Sequence, residues 1–222
     1  MISSPSQKIV VAVDTVIFTV KDGELCVLLV QMKKKPYTHL WAFPGGRVEN
    51  DETTEQTSLR MLKMQTNISN VYLEQLKTFD AIDRDQLVRV ISVASFALID
   101  EEDVALKSTD KYLDIKWWPI KKLPELAYDH KQIAKDAIVR LKSKLQYTNI
   151  AWSLLPDRFT LTDLQQIYEI ILDTKMDKRN FRKRVLALDL IIPTGTKRGG
   201  TANRPAELYK FKNRKLEYVE II

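Results

Sequence analysis

Two apolar runs open the chain. KIVVAVDTVIFTV at 8–20 and ELCVLLVQM at 24–32 are aliphatic and β-branched, which predicts strands. The Asp22-Gly23 pair between them predicts a tight hairpin. Pro44, Gly45 and Gly46 break the pattern, and residues 52–66 then read as a helix with acidic residues at its start. VYLEQLKTF, VRVISVASFALI and DIKWWPI predict further strands. Ile133, Ala137, Ile138 and Leu141 return to helical spacing, predicting a helix from Pro124 to about Leu145. Strands with interspersed helices imply an α/β layered domain over residues 1–147.

A second pattern follows. TNIAWSLLPDRF at 148–159 reads as an apolar connection that packs rather than floats. Leu164, Ile167, Tyr168 and Ile171 form one helical stripe, for which Thr162 with Gln165 reads as the capping box. After a break at Asp173 to Met176, Asp177 caps a helix whose stripe is Phe181, Val185 and Leu188. At about 100° per residue, Arg179, Arg182 and Lys183 fall opposite that stripe, with Lys178 at the helix start and Asn180 at its side. This is the layout of a helix-turn-helix. Arg and Asn side chains there suit base edges, and Lys suits phosphates. DLIIPTGTKRGGTANRPAELYKF adds strand, basic loop and strand: a wing with Lys197, Arg198 and Arg204 at its tip. Residues 148–222 are therefore read as a small winged-helix domain that binds DNA.

Charge sharpens this division. The net charge is +6, yet residues 157–222 hold 14 Lys/Arg against 9 Asp/Glu, so +5 lies in the last third. Such asymmetry points to an anionic partner. No apolar run approaches the roughly 20 residues of a membrane span, and the N-terminus has no signal-peptide pattern. The single cysteine, Cys26, sits in an apolar strand and reads as a buried small hydrophobe. A cytoplasmic protein is the expectation.

Candidate chemistry lies in GRVENDETTEQTSLRMLKMQTNI, 46–68. Positions 61, 64 and 65 are spaced to share one helix face, and three Glu there would gather carboxylate oxygens for a Mg2+ ion. The stretch resembles the Nudix box, G-x5-E-x7-R-E-U-x-E-E-x-G-U, through Gly46, Glu52, Arg60, Leu62 and Ile68. The metal-binding positions read Met61, Met64 and Gln65, and the late Gly is Asn67, which still tolerates a left-handed helix end. No metal site is expected, because thioethers and a neutral amide suit Mg2+ poorly. Elsewhere, the charged loop AIDRD offers Arg84 as a holder of phosphate or carboxylate, positioned by Asp83 or Asp85. Arg47, after the Gly-Gly turn, has the same potential. His130 stands at a helix start, in a hydrogen-bonding rather than catalytic role, and neither it nor His39 has zinc-ligand spacing.

A degenerate Nudix box joined to a winged helix resembles the NrtR-type family of Nudix-related transcriptional regulators. The resemblance spans nearly the whole chain and includes the TFDAIDRD loop and MDKRNFRKR. It implies a Nudix-like α/β/α sandwich with a mixed sheet that senses a ligand instead of hydrolysing it. It further implies a homodimer on palindromic operator DNA, no cofactor, and an effector that is ADP-ribose or a sugar. Ligand contacts are then expected from Arg47, Glu52, Arg60, Asp83, Arg84 and His130. Two other classes stay open. One is an active pyrophosphatase using Glu49, Glu52 or Glu55 as substitute ligands; the other is an RNA or protein adaptor. Turnover of ADP-ribose with Mg2+ separates the first from a regulator, and a DNA gel shift separates the second.

Overall fold

The computed structural model describes residues 8–68, 71–100, 104, 106, 110–199, 205–219 and 221. Seven strands build one sheet: β1 (Val10–Lys21), β2 (Glu24–Met32), β3 (Trp41–Ala42), β4 (Gly45–Arg47), β5 (Tyr72–Phe79), β6 (Val90–Leu98) and β7 (Tyr112–Pro119). The order is β3-β2-β1-β6-β5, with β4 beside β1 and β7 beside β2. β4 runs antiparallel to β1, placing Gly45 opposite Asp14 and Gly46 opposite Val13. β1 and β2 are central, so consecutive residues are buried and their apolar runs do not alternate. The hairpin turn takes positive φ at both Asp22 (50°) and Gly23 (75°), the type I′ geometry that this dipeptide favours.

Helix α1 (Thr54–Thr66) starts with a Thr53/Gln56 capping box and ends on Asn67 at φ 61°, whose N–H donates to the Lys63 carbonyl. Helix α2 spans His130–Tyr147, not 124–145. The reason lies in the backbone of 125–127. Trp41 N–H donates to the Glu125 carbonyl and Ala127 N–H to that of Trp41, so this stretch pairs alongside β3 before the helix can begin. Among the described residues, no helix is long and apolar enough to cross a membrane.

The C-terminal elements are α3 (Leu161–Leu172), α4 (Lys178–Ala187), β8 (Ile191–Arg198) and β9 (Ala206–Phe211). Leu164, Ile167, Tyr168 and Ile171 are buried, as their spacing predicts. The capping box of α3 is Thr160 with Asp163, two residues earlier than the Thr162/Gln165 reading. Gln165 instead donates to Glu169 Oε1 and to the Met176 carbonyl, bracing the turn between α3 and α4. Asp177 caps α4, accepting the Asn180 N–H at 2.8 Å. Strands β8 and β9 form an antiparallel hairpin. By contacts, the described residues within 1–17, 27–97 and 105–137 form one compact unit, and those within 18–26, 98–104 and 138–222 form another.

Candidate functional site

The first site is assembled around β4 and α1. A side chain at Gly45 would bring Cβ within 2.5 Å of both Asp14 Oδ1 and the Val13 carbonyl, so the turn into the box tolerates only glycine there. At Gly46 a Cβ would lie 3.0 Å from Met61 Sδ. Met61 and Gln65 are buried, at 3% and 1% exposure, whereas Met64 is 46% exposed. The three positions therefore do not share one face as expected: residues 61 and 65 point inward together, and 64 lies beyond the edge of that face. Gln65 stands beside the Tyr112 hydroxyl, but neither its amide N nor O makes a hydrogen bond of normal geometry. The carbonyl of Gly45 accepts from Lys111 Nζ at 3.2 Å and from the Tyr112 hydroxyl at 3.4 Å. A magnesium ion does not fit this donor set, which offers a thioether, an amide and a carbonyl already engaged.

Glu52 and Arg60 meet each other. Arg60 Nε donates to Glu52 Oε1 at 2.6 Å and Nη2 to Oε2 at 2.7 Å, and the Thr57 hydroxyl adds a third bond. Arg60 Nη2 also reaches the Arg47 carbonyl at 3.5 Å, tying the end of β4 to α1, while the Arg47 side chain is exposed. The bond from Arg60, more than that from Thr57, pulls the Glu52 carboxyl down to about 2 against an opposing desolvation. An NMR titration should accordingly find Glu52 ionised until the pH falls near 2. In Arg60→Met its midpoint should rise toward the ordinary value of about 4.3; an unmoved midpoint would refute the pairing.

Arg84 departs from expectation. It is buried, and Asp14 and Asp129 hold it, not Asp83 or Asp85. Nη2 lies 3.0 Å from Asp14 Oδ2 and 2.8 Å from Asp129 Oδ1, and Nε donates to Asp129 Oδ2 at 3.1 Å. Asp83 is exposed, and Asp85 closes its own turn by accepting the Leu87 N–H at 2.7 Å. Asp14 also accepts from the Ser92 hydroxyl at 2.6 Å and sits 3.3 Å from His130 Nε2. Nδ1 of His130 accepts the Phe43 N–H at 2.9 Å, so the ring proton belongs on Nε2, facing Asp14. Burial alone would raise the Asp14 pKa; His130, Ser92 and Arg84 together hold it well below the carboxylate range.

A cavity of about 340 Å³ opens over this network. Tyr37, Asp83, Arg84, Tyr128 and Asp129 line it, and the two tyrosine rings stand 4.1 Å apart. Its volume lies at the lower end of small-molecule sites, roughly 300–1,000 Å³. The structure thus brings Asp83 and Arg84 to one cavity and sets His130 behind it through Asp14. Sequence reasoning missed Asp14, Tyr37, Lys111, Tyr112, Tyr128 and Asp129. Asp14 carried a signal, being the one acid inside a central strand of mainly aliphatic and β-branched residues.

In the second unit, Phe181 and Val185 are the buried residues of α4, and Lys178, Arg179, Asn180 and Lys183 are exposed. Arg182 differs from them in burial. It lies about 100° from Phe181, is half-buried, and donates from Nη2 to Thr162 Oγ1 at 3.4 Å. Lys197 and Arg198 lie at the end of β8, and Arg198 pairs with Asp163 at 2.9 Å in the first turn of α3. Arg204 lies outside the described residues.

Comparison with known proteins agrees with both halves. Residues 8–140 match the NUDIX domain family, and residues 151–211 match the NrtR DNA-binding winged helix domain. The chain is 35% identical over 205 residues to the ADPR responsive transcriptional repressor NtrR of Acinetobacter baylyi, covering 90% of this chain and 80% of that one. It resembles Shewanella oneidensis NrtR complexed with a 27mer DNA, with TM-score 0.81, 37% identity and coverage of 91% of this chain and 93% of that one. The NUDIX domain of the same Shewanella protein complexed with ADP ribose aligns with TM-score 0.54 and 36% identity, over 63% of this chain and 91% of that one. A Nudix-like α/β domain with a mixed sheet, followed in one chain by a DNA-binding winged helix, places this protein in the NrtR family of Nudix-related transcriptional regulators.

Proposed function

We propose that the chain is a transcriptional repressor that holds operator DNA through its winged helix and releases it when its Nudix domain binds ADP-ribose. The observation that carries this reading is α4. Lys178, Arg179, Asn180 and Lys183 are exposed together on a helix anchored by Phe181 and Val185, and a basic hairpin follows. Residues 1–147 would sense and residues 148–222 would bind DNA, with Arg179 and Asn180 at base edges and Lys178, Lys183 and Lys197 on phosphates. Arg198 and Arg182, already engaged within the domain, would support the wing and the helix pair. A homodimer would set two α4 helices about one DNA turn apart. ADP-ribose is favoured over a sugar by the ADP-ribose-responsive relative. Without carboxylates at positions 61, 64 and 65, the Nudix domain would bind without hydrolysing.

A gel shift with the protein's own upstream DNA, with and without ADP-ribose, tests the whole. Specific binding should be lost as ADP-ribose is added. Arg179→Ala should weaken it by roughly 1–3 kcal/mol if that side chain reads a base. Unchanged binding in Arg179→Ala would remove α4 from the interface.

A further inference from the structure

The turn that joins α3 to α4 is fixed by one residue of α3. The main-chain carbonyl of Glu169 accepts the N–H of Asp173, which ends α3 at φ 57°, and that of Thr174 at 3.2 Å. Its carboxylate accepts the Met176 N–H at 2.9 Å through Oε1 and the Lys175 ammonium at 3.1 Å through Oε2. Residues 173, 174, 175 and 176 therefore all donate to Glu169, and the next residue, Asp177, is the cap of α4. Gln165, one helical turn earlier in α3, closes the frame: its amide donates to Glu169 Oε1 at 2.9 Å and to the Met176 carbonyl at 3.0 Å. The Met176 N–H first, and then Gln165, hold the Glu169 carboxyl below the usual range against an opposing desolvation.

The packing of α4 leaves an angle for this frame to decide. Phe181 and Val185 are its buried residues, and apolar contact is non-directional, so it resists separation of the helices more than a change in their angle. A tilt of about 10° at the turn would move the far end of this ten-residue helix, about 15 Å long, by about 2.6 Å. A bidentate base contact works only at hydrogen-bond distances of about 2.7–3.2 Å, whereas an ammonium on a flexible lysine stem can follow a phosphate.

We propose that Glu169, braced by Gln165, is a positioning residue that sets the angle at which α4 meets DNA, and so governs discrimination between operator and other sequences more than affinity for DNA as such. This rests on the reading of α4 as the helix that meets base edges. Glu169 acts through Arg179 and Asn180, which need a fixed helix, and hardly through Lys178 and Lys183, which do not.

Gel shifts of the full chain on its own upstream DNA and on a scrambled duplex of equal length and composition test this, read as the ratio of the two affinities. Incomplete folding scales both apparent affinities alike and cancels in that ratio, so a merely structural role leaves it unmoved. Glu169→Ala should cut the ratio by about tenfold or more, with scrambled-DNA binding within about threefold of the parent. Glu169→Gln, which keeps a carbonyl oxygen for Met176 and Gln165, should restore most of the loss. Lys175→Ala removes only an ammonium that is 93% exposed and should leave the ratio within about twofold. Should Glu169→Ala fail to fold, Gln165→Leu opens the frame from its other side and should cut the ratio by about threefold to tenfold. A discriminating parent whose ratio is unchanged in these variants, or equal losses on both duplexes, overturns the inference and leaves α4 as the reading helix. A parent that binds both duplexes alike overturns the reading of α4, and the inference with it.

Discussion

Replacing Arg84 with alanine should destabilise the first compact unit by about 3–5 kcal/mol, the usual cost of breaking a buried ion pair from one side. Arg84 has a side-chain exposure of 4% and serves two carboxylates at once. Without it, Asp129 loses both of its bonds to the guanidinium, and Asp14 keeps Ser92 and His130 but no permanent cation. An uncompensated charge would then remain in a region where water cannot reach it freely. Denaturant unfolding at neutral pH measures the loss, and Asp83→Ala, which removes an exposed carboxylate one residue away, should stay within about 0.5 kcal/mol of the parent. The pH dependence has a definite sign. The folded pKa of Asp14 is depressed, so its stabilisation is complete above the unfolded value of about 3.9 and is lost as pH falls below it. Alanine at 84 lets that pKa rise, so the deficit of the variant should be largest at neutral pH and should shrink on acidification below about 4. A loss under about 1 kcal/mol at neutral pH, or a deficit that grows in acid, would show that Arg84 is not the keystone of this network.

The network also marks the limit of what the sequence discloses. Local signals transferred well. The hairpin followed from Asp22-Gly23 because a type I′ turn needs φ > 0 at both central residues. Asn67 ends α1 in the left-handed region, where its side chain is tolerated. Asp177 caps α4 as its position suggested. What failed was non-local or angular. Arg84 finds partners 70 and 45 residues away, and nothing in AIDRD distinguishes a guanidinium that turns inward from one that stays in water. The cap of α3 was misplaced because the strict box asks for Glu or Gln at its fourth position, which favours T-x-x-Q, whereas the T-x-x-D of Thr160 and Asp163 also closes it and is reached by the backbone entering from Phe159, paired with Tyr209. Arg182 is half-buried against Thr162, because a residue about 100° from Phe181 is equally compatible with solvent and with the flank of a neighbouring helix. Lys111 was passed over because the Gly45 carbonyl to which it donates lies 66 residues upstream, and no spacing rule links them.

Phe181→Ala should separate folding of the winged helix from its grip on DNA. Phe181 and Val185 are the two buried residues of α4. The Phe181 ring lies 5.4 Å from that of Tyr168, at 59° to it. Tyr168 is itself 1% exposed in the stripe of α3. Truncating such a phenyl ring removes its transfer energy and leaves a void that rigid neighbours fill only partly, a cost of about 3–5 kcal/mol. In a domain of 60–100 residues each kcal/mol moves the melting temperature by about 4–8 °C, so the winged helix should melt at least about 12 °C lower. The ring, however, faces α3 and not the exposed row of Lys178, Arg179 and Lys183. At a temperature where circular dichroism shows the variant folded, operator affinity should therefore stay within about twofold of the parent. Arg179→Ala should do the reverse, weakening DNA binding while leaving the melting curve within about 0.5 kcal/mol of unchanged, because an exposed side chain adds little to the fold. The crossed pair of outcomes is the sharpest test of α4 as the reading helix. If Phe181→Ala loses affinity while still folded, the packing against α3 sets the angle at which α4 meets DNA; if Arg179→Ala melts early, that guanidinium holds the domain together instead of touching a base.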